Sequence, residues 1–142
     1  MPSKKRVLFL CIGNSCRSPM AEGFARAYGS DILEASSAGL SIASIVQPLT
    51  RKVMRDRNIS IEEKAPFPIE FVDLSQVDLI VNLSGMEVHF PPEIPVLEWR
   101  VRDPIGAGEG VYEQVRDEIE ARVVRLILDM RGGAEGGASG KS

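Results

Sequence analysis

Apolar residues in this chain fall into two patterns, short unbroken runs and stretches where they recur every three or four positions. Val7-Leu8-Phe9-Leu10 is an unbroken run too short for a helix, which predicts a buried strand over Arg6–Leu10. A helix-like stretch follows over Ser18–Tyr28 and ends near Gly29, and Ile32–Ser37 reads as a second strand. Pro48 opens a helix to about Arg57 with Leu49, Val53 and Met54 on its apolar side, and Asn58 reads as its stop. Asp78–Leu83 and Val96–Trp99 are a third and a short fourth strand. Val111, Val115, Ile119, Val123, Leu126 and Met130 step by three and four residues, so a long amphipathic helix closes the domain. This alternation predicts an α/β fold: a small, doubly wound, mainly parallel four-stranded sheet with helices on both faces. No internal repeat is present. From Gly132 the chain reads Gly-Gly-Ala-Glu-Gly-Gly-Ala-Ser-Gly-Lys-Ser, which cannot pack. The expected organisation is one domain over residues 1–131 and a flexible tail over 132–142.

Composition narrows the function classes. The 142 residues suit one core, and 44% apolar with 26% charged residues excludes wholesale disorder. A net charge of −3 gives no pointer to nucleic acid. No apolar run approaches a membrane span, and Lys4-Lys5-Arg6 precedes a strand too short to be a signal-peptide core. The reading is a cytoplasmic protein whose chemistry needs reduced cysteine.

That chemistry lies where the first strand meets the first helix, at Cys11-Ile12-Gly13-Asn14-Ser15-Cys16-Arg17-Ser18-Pro19. A strand delivers the Cys11 sulfur to the sheet edge, and the next residues curl so that backbone N–H groups point inward. Closed by a helix N-terminus, such a nest seats a tetrahedral oxyanion. Gly13 and Asn14 tolerate the positive φ that a tight curl requires. Ser18-Pro19 reads as helix N-cap and first helical residue. Arg17 supplies a planar fork for two oxygens, and the combined field favours a nucleophilic Cys11 thiolate. Ile12, Gly13, Asn14, Ser15, Cys16 and Ser18 complete the expected binding loop.

The run from Val7 to Gly23 resembles the opening of the low-molecular-weight protein tyrosine phosphatase family, which includes the thioredoxin-coupled arsenate reductases. Ser36-Ser37-Ala38-Gly39, Asp78-Leu79-Ile80-Val81 and Asp103-Pro104 extend the likeness over roughly residues 5–130. The resemblance implies catalysis by Cys11, Arg17 and Asp103. Asp103 would be the general acid and then the base, its direction fixed by the proline after it. Ser18 would donate to the Cys11 sulfur, while Asn14 and Ser37 would brace the loop. Cys16 would protect Cys11 by a reversible disulfide. His89 reads as a surface residue.

In some arsenate reductases the counterpart of Glu22 belongs to a potassium site. That site also uses a carboxylate where this chain has Pro66, so neither metal nor cofactor is expected. Two reactions compete. The main reading is hydrolysis of phosphomonoesters, on a phosphotyrosine protein or a small aryl phosphate, through a phosphocysteine. The alternative is arsenate reduction with a low-molecular-weight thiol of the mycothiol or glutathione type. Asn14-Ser15-Cys16, Met20-Ala21-Glu22-Gly23 and Val115-Arg116-Asp117-Glu118-Ile119 are similar to the reductase branch. Ser84, however, stands where the first relay cysteine of the thioredoxin-coupled enzymes belongs. Ile105-Gly106-Ala107-Gly108 and Ser41-Ile42-Ala43 lack the aromatic walls usual in the phosphatases.

Overall fold

The computed structural model describes residues 4–132; the expected tail from residue 133 onward lies outside the described residues. Four strands, β1 (Lys5–Cys11), β2 (Leu33–Gly39), β3 (Leu79–Asn82) and β4 (Val96–Glu98), form one sheet in the order β2-β1-β3-β4. Every pairing is parallel, with Phe9 opposite Ser37 on one side and Val81 on the other. The helices are α1 (Arg17–Gly29), α2 (Pro48–Arg55) and α3 (Glu109–Arg131). Among the described residues no helix is long and apolar enough to cross a membrane.

β1 is buried on both faces because it is central, which is why its apolar run is continuous rather than alternating. Its side chains still divide by parity. Val7, Phe9 and Cys11 join Met20, Phe24, Val53 and Ile119 in the core beneath α1, α2 and α3. Leu8 and Leu10 face the other way, with Ile80 and Ile94, under a thinner cover. There two single 3-10 turns, Ile69–Phe71 and Leu74–Gln76, lay Ile69 and Leu74 on the sheet. Helices thus cover both faces unequally, the α-helices on one and the short turns on the other.

Local signals account for most boundaries. Asn58 takes a positive φ of 62° and reverses the chain after α2, as its sequence position implied. α2 itself stops at Arg55, two residues early, because Arg57 N–H and Asn58 N–H turn back to the carbonyls of Met54 and Arg55. α1 begins at Arg17 with Cys16 as N-cap, so the expected Ser18 cap with Pro19 at the first helical position is corrected by two residues. The reason is chemical: the Ser18 hydroxyl is bonded to Cys11 and Asn14 instead of capping a backbone N–H.

β2 continues to serve the loop after it leaves the sheet. Leu40, Ser41 and Ala43 donate their N–H groups to the carbonyls of Cys11, Ile12 and Gly13 at 3.1, 2.8 and 3.0 Å. Gly39 is the residue that permits this approach. A Cβ there would lie 2.8 Å from the Ile12 carbonyl oxygen and 3.0 Å from the Asn14 backbone nitrogen. Neither atom belongs to a flexible side chain. Gly39→Ala should therefore cost about 1–3 kcal/mol of stability through overpacking and weaken binding of inorganic phosphate. Thermal unfolding and phosphate titration check both, and an unchanged affinity would mean that the loop yields without loss.

Candidate active site

The loop after β1 has its carbonyls occupied from outside. Besides the three bonds from residues 40–43, Ser15 C=O accepts from Gln47 N–H at 3.0 Å and from the Thr50 hydroxyl at 3.1 Å. Across a trans peptide the next N–H points away from the carbonyl. The N–H groups of Ile12, Gly13, Asn14 and Cys16 therefore face the opposite way, into the bowl above Cys11. Of the two residue types that tolerate a positive φ, Asn14 supplies the curl with φ 54°, and Gly13 does not take one.

Cys11 is 2% exposed at the floor of this bowl, and its Sγ lies 2.9 Å from Ser18 Oγ. Asn14 Nδ2 donates to Ser18 Oγ at 2.7 Å and to Ser37 Oγ at 3.0 Å, while Asn14 Oδ1 accepts from Phe67 N–H at 2.9 Å. Asn14 is thus hydrogen-bonded to Ser18, Ser37 and the backbone of Phe67.

Arg17 closes the bowl. Its guanidinium is nearly buried, and Nη1 donates to the carbonyls of Leu83 at 2.7 Å and Val101 at 3.2 Å. Nη2 lies 3.4 Å from Asp103 Oδ2, whose side chain is 42% exposed. The structure therefore brings Cys11, Arg17, Ser18 and Asp103 together from two distant parts of the chain. The Asp103 loop turns on itself: Asp103 Oδ1 accepts from Ile105 N–H at 3.1 Å, and Gly106 carries φ 88°. Ile12, Ile42 and Ile105 are exposed beside these loops, so the walls they offer are aliphatic.

Cys16 is also buried, with Tyr112 Oη and Ser15 Oγ each 3.9 Å from its sulfur. Burial pushes the Cys16 thiol up, against weaker opposing bonds from Thr50, Tyr112 and Ser15. Burial likewise pushes the Tyr112 phenol far up, with Cys16 adding to it. Ser84 is a buried turn residue whose N–H and hydroxyl both donate to Asn82 Oδ1, at 3.0 and 2.7 Å. His89 stands in solvent, as expected.

Sequence reasoning passed over Tyr112 and Lys64, and it weighed Glu22 only as a polar helix residue or through its counterpart in a potassium site. Tyr112 was hidden beside Val111 in the apolar series of α3. Glu22 read as a polar helix residue, yet its side chain is only 7% exposed and bonded to Ser37. Lys64 carried no signal, yet its Nζ sits 3.4 Å from Glu22 Oε1. Glu22, Ser37 and Lys64 all line a groove of about 930 Å³ between α1 and residues 58–67.

Residues 6–133 match the family described as low molecular weight phosphotyrosine protein phosphatase. A relative from Synechocystis, named glutaredoxin arsenate reductase, is 37% identical over 127 residues, covering 87% of this chain and 96% of that protein. A solved arsenate reductase in its phosphate-binding state superposes with a TM-score of 0.81 at 35% identity, covering 89% of this chain and 98% of that one. A low molecular weight protein tyrosine phosphatase from T. tengcongensis gives 0.77 at 27% identity, covering 89% and 99%. The main reading of the sequence, phosphotyrosine hydrolysis, is corrected by these findings. The more similar proteins are named arsenate reductases.

The thiol environments differ enough to test. Because burial raises the Cys16 thiol, its thiolate should form only at higher pH than an ordinary cysteine's. Peptide mapping after brief iodoacetamide treatment at pH 8 should leave Cys16 essentially unlabelled. Labelling of Cys16 at the rate of a free thiol would contradict the assignment of its environment.

Proposed function

The chain belongs to the low molecular weight phosphotyrosine protein phosphatase family, and within it we propose that this protein is an arsenate reductase fed by an external thiol. The observation that carries the substrate is the greater similarity to proteins named arsenate reductases than to the named phosphatase. Arsenate is tetrahedral and anionic, and the bowl with Arg17 suits such a group.

In the proposed reaction the Cys11 thiolate attacks arsenic, and a hydroxyl leaves as water with a proton from Asp103. The product is a Cys11 thioarsenate. The ion pair with Arg17 holds Asp103 beside the seat, and the residue's half-exposure lets it exchange protons with solvent. A second thiolate then attacks Cys11 Sγ. The sulfur–arsenic bond breaks, its electron pair stays on arsenic, and As(V) leaves as As(III) arsenite. Cys11 remains in a mixed disulfide, which another thiol resolves. Two thiols are thus oxidised per arsenate reduced.

The chain's own thiols fit an outside source for those electrons. Cys11 and Cys16 are its only cysteines. Cys16 is a buried, raised thiol and therefore a slow nucleophile. Ser84, at the position of the first relay cysteine, cannot form a disulfide. A low-molecular-weight thiol of the mycothiol or glutathione type is the donor class proposed. Cys16 serves instead as a guard, pairing with Cys11 when an oxidant converts Cys11 to a sulfenic acid, with loss of water.

Purified protein given arsenate should release arsenite with glutathione or mycothiol coupled to their recycling enzymes. Cys11→Ser should abolish turnover, and Asp103→Asn should slow it about a hundredfold. Aryl phosphate hydrolysis without arsenite production under any of these donors would overturn the reading. Peroxide should give a Cys11–Cys16 disulfide that thiols reverse, whereas Cys16→Ser should climb to sulfinic acid. Sulfinic Cys11 in the wild type would remove the guard role.

A further inference from the structure

Cys16 faces a chemical obstacle in the guard role. To close a disulfide it must attack the Cys11 sulfenic acid as a thiolate, yet it is buried and its thiol is pushed up. The charged groups around it do not remove the obstacle. Asp103, from the loop after β4, pushes the thiol further up, and the Arg17 guanidinium is already paired with that carboxylate. Help for the thiolate has to come from a neutral donor.

Three hydroxyls bear on the Cys16 sulfur, one each from the loop, α2 and α3. Thr50 on α2 is fully buried and donates to Ser15 C=O at 3.1 Å, so its proton is committed. Ser15 has its Oγ 3.9 Å from the sulfur and belongs to the anion-binding loop itself. Tyr112, in the first turn of α3, is buried with its Oη at 3.9 Å. Among the described residues this phenol has no other polar partner. At rest the Cys16 S–H donates to it. Once that proton leaves, the sulfur can only accept, and the phenol can turn its own proton toward it. Burial, with Cys16 adding to it, holds the phenol protonated far beyond neutral pH, so the donor is always present.

We propose that Tyr112 is a positioning residue for the guard thiol, receiving the Cys16 S–H at rest and donating to the sulfur as it attacks Cys11. A peroxide first oxidises the Cys11 thiolate to the sulfenic acid. Cys16 Sγ then bonds to Cys11 Sγ, the sulfenic hydroxyl leaves, and the Cys16 proton departs with it as water. The inference rests on the guard role proposed for Cys16, but not on arsenate being the substrate.

The sulfenic acid has two fates, the disulfide and, with a second peroxide, the sulfinic acid. Their ratio, read by mass spectrometry at fixed peroxide, is independent of how fast Cys11 is first oxidised. Tyr112→Phe keeps the ring in the core and removes only the hydroxyl. At pH 7 its ratio of disulfide to sulfinic acid should fall about three- to tenfold below the wild type's. A bond to a charged sulfur favours the thiolate by more than this, but the unassisted thiolate is the stronger nucleophile and recovers part of the loss. For the same reason the gap should close as pH rises and the thiolate forms unaided, whereas a packing defect would lower the ratio at every pH. A ratio in Tyr112→Phe equal to or above the wild type's, or a gap constant across pH, overturns the proposal and leaves the guard role standing. Absence of a Cys11–Cys16 disulfide from the oxidised wild type overturns the guard role, and this inference with it.

Discussion

Arg17, with 5% of its surface exposed, carries its guanidinium to the carboxyl edge of the sheet, and the surrounding backbone is arranged around that one charge. A buried cation without partners would be strongly unfavourable. Arg17 is given two carbonyls, from the residue after β3 and from the chain beyond β4, and the carboxylate of Asp103. These partners use the end of the sheet where parallel strands finish together. Fixing Arg17 there also fixes which way its remaining N–H groups point. The anion seat is in this sense a by-product of satisfying a buried charge, and a ligand anion joins partners already in place.

The strands were legible because a central parallel strand is apolar on both sides, and Val7 to Leu10 could hardly be anything else. Their order and the short cover of 3-10 turns were not, because residues 59–76 mix Pro, Glu and isolated apolar positions with no steady period. At the site, Cys11, Arg17 and Asp103 were visible through spacing and resemblance. Lys64 was not, and the burial of Glu22 was not, since a charged residue on a helix or loop reads as solvated until the fold shows what covers it. Ser18 was seen as a cap because its spacing to Pro19 suits one. The structure uses its hydroxyl elsewhere, a case where a tertiary bond outcompetes a local one.

Substrate preference in this fold depends less on the seat than on what stands above it. Aliphatic Ile12, Ile42 and Ile105 beside the loops offer no planar ring against which an aryl group could stack. A small inorganic oxyanion needs no such wall.

The loop, its cysteine, its arginine and its serine come from one stretch between β1 and α1, whereas Ser84 and Asp103 arrive from separate connections after β3 and β4. That separation has an evolutionary reading. Mutation in the connection after β3 can add or remove redox cysteines without disturbing the anion seat, provided that the Leu83 carbonyl keeps its place on Arg17. Dependence on one reductant or another would then be a modular trait, exchanged at that one connection while the anion seat stays intact.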